Sequence, residues 1–297
     1  MTYVTEENLT GIVLDRWKQI PDPRLRTIMQ SLVKHLHGFV REIEPTEQEW
    51  VSAIEWLTQT GKMCTDKRQE FILASDVLGV SMLVDAINHR LPTGATPTTV
   101  TGPFHIEDSP EIATGANMAE GAPGEPCFIV GTVRGLDGEP IANAVLDIWQ
   151  TDGDGIYEAQ RDGDGPWMRG IYHSGADGSY SVRTVTPIGY TIPMDGTVGA
   201  LMERTDISHM RPSHIHFLVE APGYERIITH LFQNGDPYIE TDVVYGVKKE
   251  LIVDFQHMPP GRAPGGEVVN TPYHVVRYDF VLKKSAQAAT KQKATAS

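Results

Sequence analysis

The hydrophobic period changes once along this chain, and that change limits the folds open to it. From Thr5 to Arg90 apolar residues recur at three- and four-residue intervals, the spacing that gathers them on one face of a helix. Leu25, Ile28, Met29, Leu32, Leu36, Phe39, Val40 and Ile43 make the longest such stripe, with charged residues opposite. PDPR breaks it from an earlier helix, Thr46 with Glu49 forms a capping box for the next, and Gly61 is expected to stop that one. One further helix, or two short ones, is expected over 66–90. After Leu91 the chain turns to proline, glycine, threonine and short β-branched runs, the pattern of strands between turns. FIVGTVRGLDGEPIANAVLDIWQT reads as two strands around an Asp-Gly turn; SYSVRTVTP, HIHFLVEA, ERIITHLFQ, ELIVDF and HVVRYDFVL read as others. Helices first and strands second make an α+β chain, with an N-terminal helical region, whose apolar stripe serves either core packing or a dimerisation interface, followed by a Greek-key β-sandwich. The division expected is 1–105 for the helices and linker, 106–284 for the sandwich, and 285–297 for a small, polar, disordered tail.

Charge and cysteine usage narrow the function. With 25 basic and 39 acidic residues the net charge is -14, which argues against a nucleic-acid backbone or an anionic membrane surface as the main partner. Cys64 and Cys127 are far apart and form no C-x-x-C pair, as suits buried thiols in a reducing cytoplasm. The first twenty residues lack a basic start followed by an apolar core, and no apolar run reaches about 18 residues, so neither a signal peptide nor a membrane span is expected.

The segment with the most chemistry is RPSHIHF, Arg211 to Phe217. Side chains two apart on a strand share a face, with Cα atoms about 7 Å apart. His214 and His216 can therefore offer two neutral imidazoles to one metal ion. Taken alone, an H-x-H is more often a pair of hydrogen-bonded strand histidines. Two phenols in unusual settings strengthen the metal reading: Tyr157 in the glycine-rich GDGIYE and Tyr190 in PIGYTIP. HIHFLVE also fits the H-x-H-x3-E core of a cupin site, but the flanking glycines of that pattern are replaced by Ser208 and Ile227. GTVRGLDGEPIANAVLDIW resembles the opening of transthyretin-like binding modules, which need no such convergence of tyrosines and histidines. DGDG at 152–155 lacks the register of a calcium loop and reads as a turn.

WQTDGDGIYEAQ, TPIGYTIPMDG and RPSHIHFLVEAPGYE together resemble the three ligand segments of the intradiol ring-cleaving dioxygenases, over nearly the whole chain up to Leu282. THLFQNGDPYIETDVVYGVKKELIVDF and FILASDVLGVSMLVDAIN are most similar to the hydroxyquinol-cleaving branch of that family. The resemblance implies an iron(III) enzyme with Tyr157, Tyr190, His214 and His216 as metal ligands. Tyr190 would leave the metal and take a proton when an aromatic diol or triol binds, for reaction with O2. Two phenolates favour the ferric ion and an activated substrate, unlike the two-histidine, one-carboxylate site of iron(II) oxygenases. Arg211 is implied to stabilise charge developing on the ring. The implied pocket comprises Leu73, Asp76, Val100, Gly102, Pro103, Phe104, Ile192, Pro193 and Val244, with Asp76 accepting a hydrogen bond from a third hydroxyl. His230 stands where many catechol enzymes of the family carry glutamine. The family also implies a homodimer through the N-terminal helices, with phospholipid bound along it. The expected activity is hydroxyquinol cleavage, with catechol or a substituted catechol as the alternative substrate.

Overall fold

The computed structural model describes residues 3–65, 68–161, 163 and 165–286, so the expected disordered tail lies almost wholly outside the described residues. The chain divides into two compact units, residues 1–59 and 60–297. Its helices are α1 (Glu6–Trp17), α2 (Pro23–Ile43), α3 (Glu47–Met63), α4 (Glu70–Val77), α5 (Val80–Asn88) and α6 (Thr197–Met202). Helix α1 starts at Thr5, whose hydroxyl accepts from the Asn8 amide, and α2 starts at Asp22 with Pro23 in its first turn. Thr10 and His37 join these two helices across a 2.9 Å hydrogen bond. The Thr46–Glu49 capping box forms, with the Glu49 amide 3.2 Å from Thr46 Oγ1. Gly61 does not stop α3, which continues to Met63. Instead the glycine lets the Phe71 ring come within 3.4 Å of where a Cβ would stand.

The strands, in chain order, are β1 (Pro126–Gly135), β2 (Val145–Trp149), β3 (Arg169–His173), β4 (Ser179–Val185), β5 (Tyr190–Thr191), β6 (Met210–Arg211), β7 (His214–Glu220), β8 (Ile227–Gln233), β9 (Ile252–Val253), β10 (Gln256–Met258), β11 (Gly261–Arg262), β12 (Val268–Val269), β13 (Tyr273–Arg277) and β14 (Phe280–Leu282). One five-stranded sheet centres on β1, flanked by β4, β13 and β14 with β10 outside; the other runs β3-β2-β7-β8-β9. Ile129, Val133, Val182, Val276 and Phe280 from the first sheet share a core with Leu146, Ile148, Ile215, Phe217, Val219 and Leu231 from the second. This is the expected sandwich, and it follows the N-terminal helices in the chain. The Asp-Gly turn at 137–138 folds the chain back antiparallel on the end of β1, where Arg134 bridges Pro140, but β1 and β2 themselves belong to opposite sheets.

The pleat of β7 places the site. Ile215, Phe217 and Val219 point into the core, so His214 and His216 must point to the opposite face of the sheet. Neighbouring strands set Trp149 and His230 directly opposite His216, and Phe232 opposite His214. The short β5–β6 pair sets Tyr190 opposite Arg211.

Candidate metal and catalytic site

Four donor atoms from three segments converge on that face. Tyr157 Oη lies 2.8 Å from His216 Nε2, 3.4 Å from His214 Nε2 and 3.1 Å from Tyr190 Oη. Tyr190 Oη is 3.5 Å from His214 Nε2, and the two Nε2 atoms are 3.2 Å apart. The loop carrying Tyr157 is shaped by Asp152, whose Oδ1 accepts from the Asp154 and Ile156 amides, so DGDG is the turn read from the sequence. Gly155 sits at φ +83, and a Cβ there would come within 3.5 Å of Tyr190 Cβ. His216 is held by the Trp149 ring stacked 4.7 Å away, and a Cβ at Gly102 would lie 3.5 Å from its Cε1. Phe104 stacks on Tyr157 with centroids 4.3 Å apart.

Protonation follows from this burial. His214, His216 and His230 are all buried, and burial holds each well below the ordinary histidine pKa; the Arg211 charge adds to the effect. His214 Nδ1 is 2.6 Å from the Pro212 carbonyl, which can only accept, so the proton is there and Nε2 offers a bare lone pair. Burial also raises both phenols, Tyr157 well above its usual value, although Arg211 opposes the rise at Tyr190. Arg211 is itself buried and stays charged. Burial would lower its pKa, but Asp242 and the two phenols outweigh that. Its Nε is 3.0 Å from Asp242 Oδ1, and its Nη1 is 3.1 Å from His214 Nε2.

Beside the donors lies a cleft of about 1120 Å³. Asp76, Val100, Gly102, Pro103 and Phe104 line it, and Gly102 and Phe104 also touch the donor residues. Leu73, Ile192, Pro193, Arg211 and Val244 are not among its lining residues; all but the half-buried Pro193 are buried. Asp76 is buried on α4, and burial lifts its carboxyl to about 6 against a Ser81 hydrogen bond and the Arg211 charge.

Comparison with known proteins gives this geometry a family. The family model described as Catechol dioxygenase N terminus matches residues 22–96, and the one described as Dioxygenase matches residues 100–284. The 6-chlorohydroxyquinol 1,2-dioxygenase of Cupriavidus pinatubonensis is 49% identical over 257 residues, 86% of this chain and 93% of its own. The hydroxyquinol 1,2-dioxygenase of a Rhizobium species is 44% identical over 285 residues, 95% of this chain and 97% of its own. The solved structure of hydroxyquinol 1,2-dioxygenase from Pseudomonas putida matches with a TM-score of 0.87 at 46% identity, covering 94% of this chain and 99% of that one. The chain belongs to the intradiol ring-cleavage dioxygenases.

The intradiol dioxygenase family carries non-haem iron, and the donors here fit such an ion. Ligands about 2.0–2.1 Å from one metal stand roughly 3–3.5 Å from each other, close to the spacings observed. The two unprotonated imidazole nitrogens and two phenol oxygens lie within 3.5 Å of their nearest neighbours, a nitrogen and oxygen donor set that suits a cation, and a cation would also reverse the rise in the phenol pKa values. His230 is the third imidazole of the cluster, its ligating atom within 4.8 Å of the others. Its Nε2, however, is committed to His216 Nδ1 at 2.7 Å.

Several residues that serve this dioxygenase's site gave no signal in the sequence. Asp242 lies 31 residues from Arg211, inside the 229–255 stretch that carries part of the family resemblance, but nothing local singles out its carboxylate. Glu70, buried on α4, accepts from the Val198 amide at 3.0 Å and from Arg68, which also bonds Asp195. This ties the helix bearing Asp76 to the segment that follows Tyr190.

Proposed function

We propose that this dioxygenase cleaves hydroxyquinol between its adjacent hydroxyls, consuming one O2 and giving 3-hydroxy-cis,cis-muconate or its tautomer maleylacetate, with both oxygen atoms retained. The observation that carries the proposal is the convergence of two phenols and two imidazoles, all buried but the half-buried Tyr190, with a charged guanidinium beside them. Tyr157, Tyr190, His214 and His216 would hold iron in the ferric state. Bound there, the metal would draw electron density from the chelated diol so that ring carbon can react with O2. Tyr190, whose Oη has the weakest contacts to the imidazoles, takes one diol proton on its phenolic oxygen. Arg211, fixed by Asp242, faces the negative charge that builds on the ring as oxygen adds. Phe104 and Gly102 keep the donors covered on the cleft side, with Val100 and Pro103 continuing that wall. Leu73, Ile192, Pro193 and Val244 would pack the apolar ring edge.

Asp76 supports hydroxyquinol over catechol. A buried carboxylate with acceptor capacity beyond its Ser81 hydrogen bond suits a third hydroxyl, and a diol that lacks the hydroxyl forgoes that bond. The names of the relatives reported above agree with this choice. The helices up to residue 105 would pair two copies of the chain, with phospholipid filling apolar space between them. Residues 106–284 would form the catalytic domain, and the enzyme would act in the cytoplasm. The test is oxygen uptake with product identification for hydroxyquinol and catechol in parallel. The expected result is one O2 per hydroxyquinol and kcat/KM at least about tenfold above that for catechol. A preference for catechol would overturn the substrate assignment.

A further inference from the structure

The imidazole that makes no direct contact with the phenols has an organised set of partners of its own. His230 is buried on β8 opposite His216, and its Nε2 lies 2.7 Å from His216 Nδ1. Its other nitrogen, Nδ1, is hydrogen-bonded to Thr99 Oγ1, and that hydroxyl in turn lies 3.4 Å from the Val100 carbonyl. Thr99 is itself fixed, its amide donating to the Ile228 carbonyl at 2.8 Å, while Thr229 Oγ1 donates to the Pro97 carbonyl at 2.7 Å. Val100, where the chain of contacts ends, lines the cleft.

Elementary bonding rules fix the direction of every link. His216 presents Nε2 to the donor cluster, so as a ligand it carries its proton on Nδ1 and donates to His230 Nε2. His230 must then hold its own proton on Nδ1 and donate to the Thr99 hydroxyl, which passes its hydrogen to the Val100 carbonyl. The opposite tautomer of His230 would set two N–H groups against each other across 2.7 Å. His214 needs no such chain, because a backbone carbonyl two residues away fixes its proton.

We infer that His230 and Thr99 are positioning residues that lock the tautomer of His216, so that a hydroxyl touching none of the four donors sets how tightly the site holds its metal. The inference rests on the reading of His216 as a ligand. It gives the 97–104 wall a second role, since the segment that shapes the cleft also anchors one imidazole. Outer partners of metal-bound histidines are worth about 10- to 100-fold in metal affinity.

The test measures the rate at which iron(III) leaves the full-length, iron-loaded protein in excess chelator. The variants are Thr99→Val, which keeps the shape and removes the hydroxyl, Thr99→Ser, which keeps the hydroxyl, and His216→Leu. Thr99→Val is expected to lose iron about 10- to 100-fold faster, with Thr99→Ser near the parent rate and the visible phenolate band kept in both. Should Thr99→Val not fold, Thr99→Ala removes the same hydroxyl and is read the same way. Loss of iron from the hydroxyl-free variant at the parent rate overturns the inference, as does equally fast loss from Thr99→Ser. A parent rate in His216→Leu would instead remove the ligand reading on which the inference stands, so the two failures are separable.

Discussion

At Asp76, burial works against the charge that recognition requires. The carboxyl is pushed up from 3.8 to about 6 by burial, so the folded chain holds its proton more tightly than the unfolded chain does. The contribution of this group to stability is therefore fully present below pH 3.8 and is lost as pH rises through about 6. Asp76→Asn, an uncharged side chain of the same shape, is expected to raise stability above pH 6 by up to about 3 kcal/mol and to change it little near pH 4. Urea unfolding at the two pH values checks this, and a less stable variant at pH 8 would contradict it. In the same variant the preference for hydroxyquinol over catechol should fall about tenfold, because the charge-assisted acceptor is gone. The spacing of Leu73 and Asp76 on one helix was readable in the sequence. The pKa was not, since it depends on what closes over the helix.

Among the elements, the turn at 242–246 does most for Arg211. Tyr245 adopts a left-handed conformation at φ 59, and its amide closes the turn on the Asp242 carbonyl. Asp242 Oδ2 accepts from the Gly246 amide at 2.9 Å, and a Cβ at Gly246 would stand 3.2 Å from Arg211 Nη2. Asp242→Ala leaves a buried guanidinium without its counter-charge and is expected to cost about 3–5 kcal/mol, read from denaturant unfolding of the full chain. Stability within about 1 kcal/mol of the parent would show that water or another acidic group replaces the carboxylate. Hydrophobic period revealed most of the long elements, because burying one face imposes it. β3, β5, β6, β10, β11 and β12 escaped notice: β5, β6, β11 and β12 are two residues long, and pairing rather than pattern makes them strands. The donor residues were legible because they sit in unusual local sequence, between glycines or prolines or two apart on a strand. Asp242, Glu70 and Thr99 were not, because their partners are brought near only by the fold.

On the scale of the molecule, the longest apolar stripe is not buried within the chain. Leu36 is 51% exposed and Phe39 56%, with Leu25, Ile28, Leu32, Val40 and Ile43 similarly open along α2. An exposed apolar face of this length fits pairing with a second copy. Light scattering is expected to give twice the 32.8 kDa chain mass, and Leu36→Glu with Phe39→Glu to halve it. A parent protein that scatters as a monomer would contradict this. No helix among the described residues is long and apolar enough to cross a membrane, so the stripe is not a span. The central claim concerns the two phenols, and the visible spectrum of the iron-loaded protein tests it most directly, recorded without oxygen before and after hydroxyquinol is added. A phenolate-to-iron charge-transfer band that shifts when the triol binds is the predicted result. An iron-loaded protein that remains colourless would contradict tyrosine ligation and, with it, the mechanism proposed for this site.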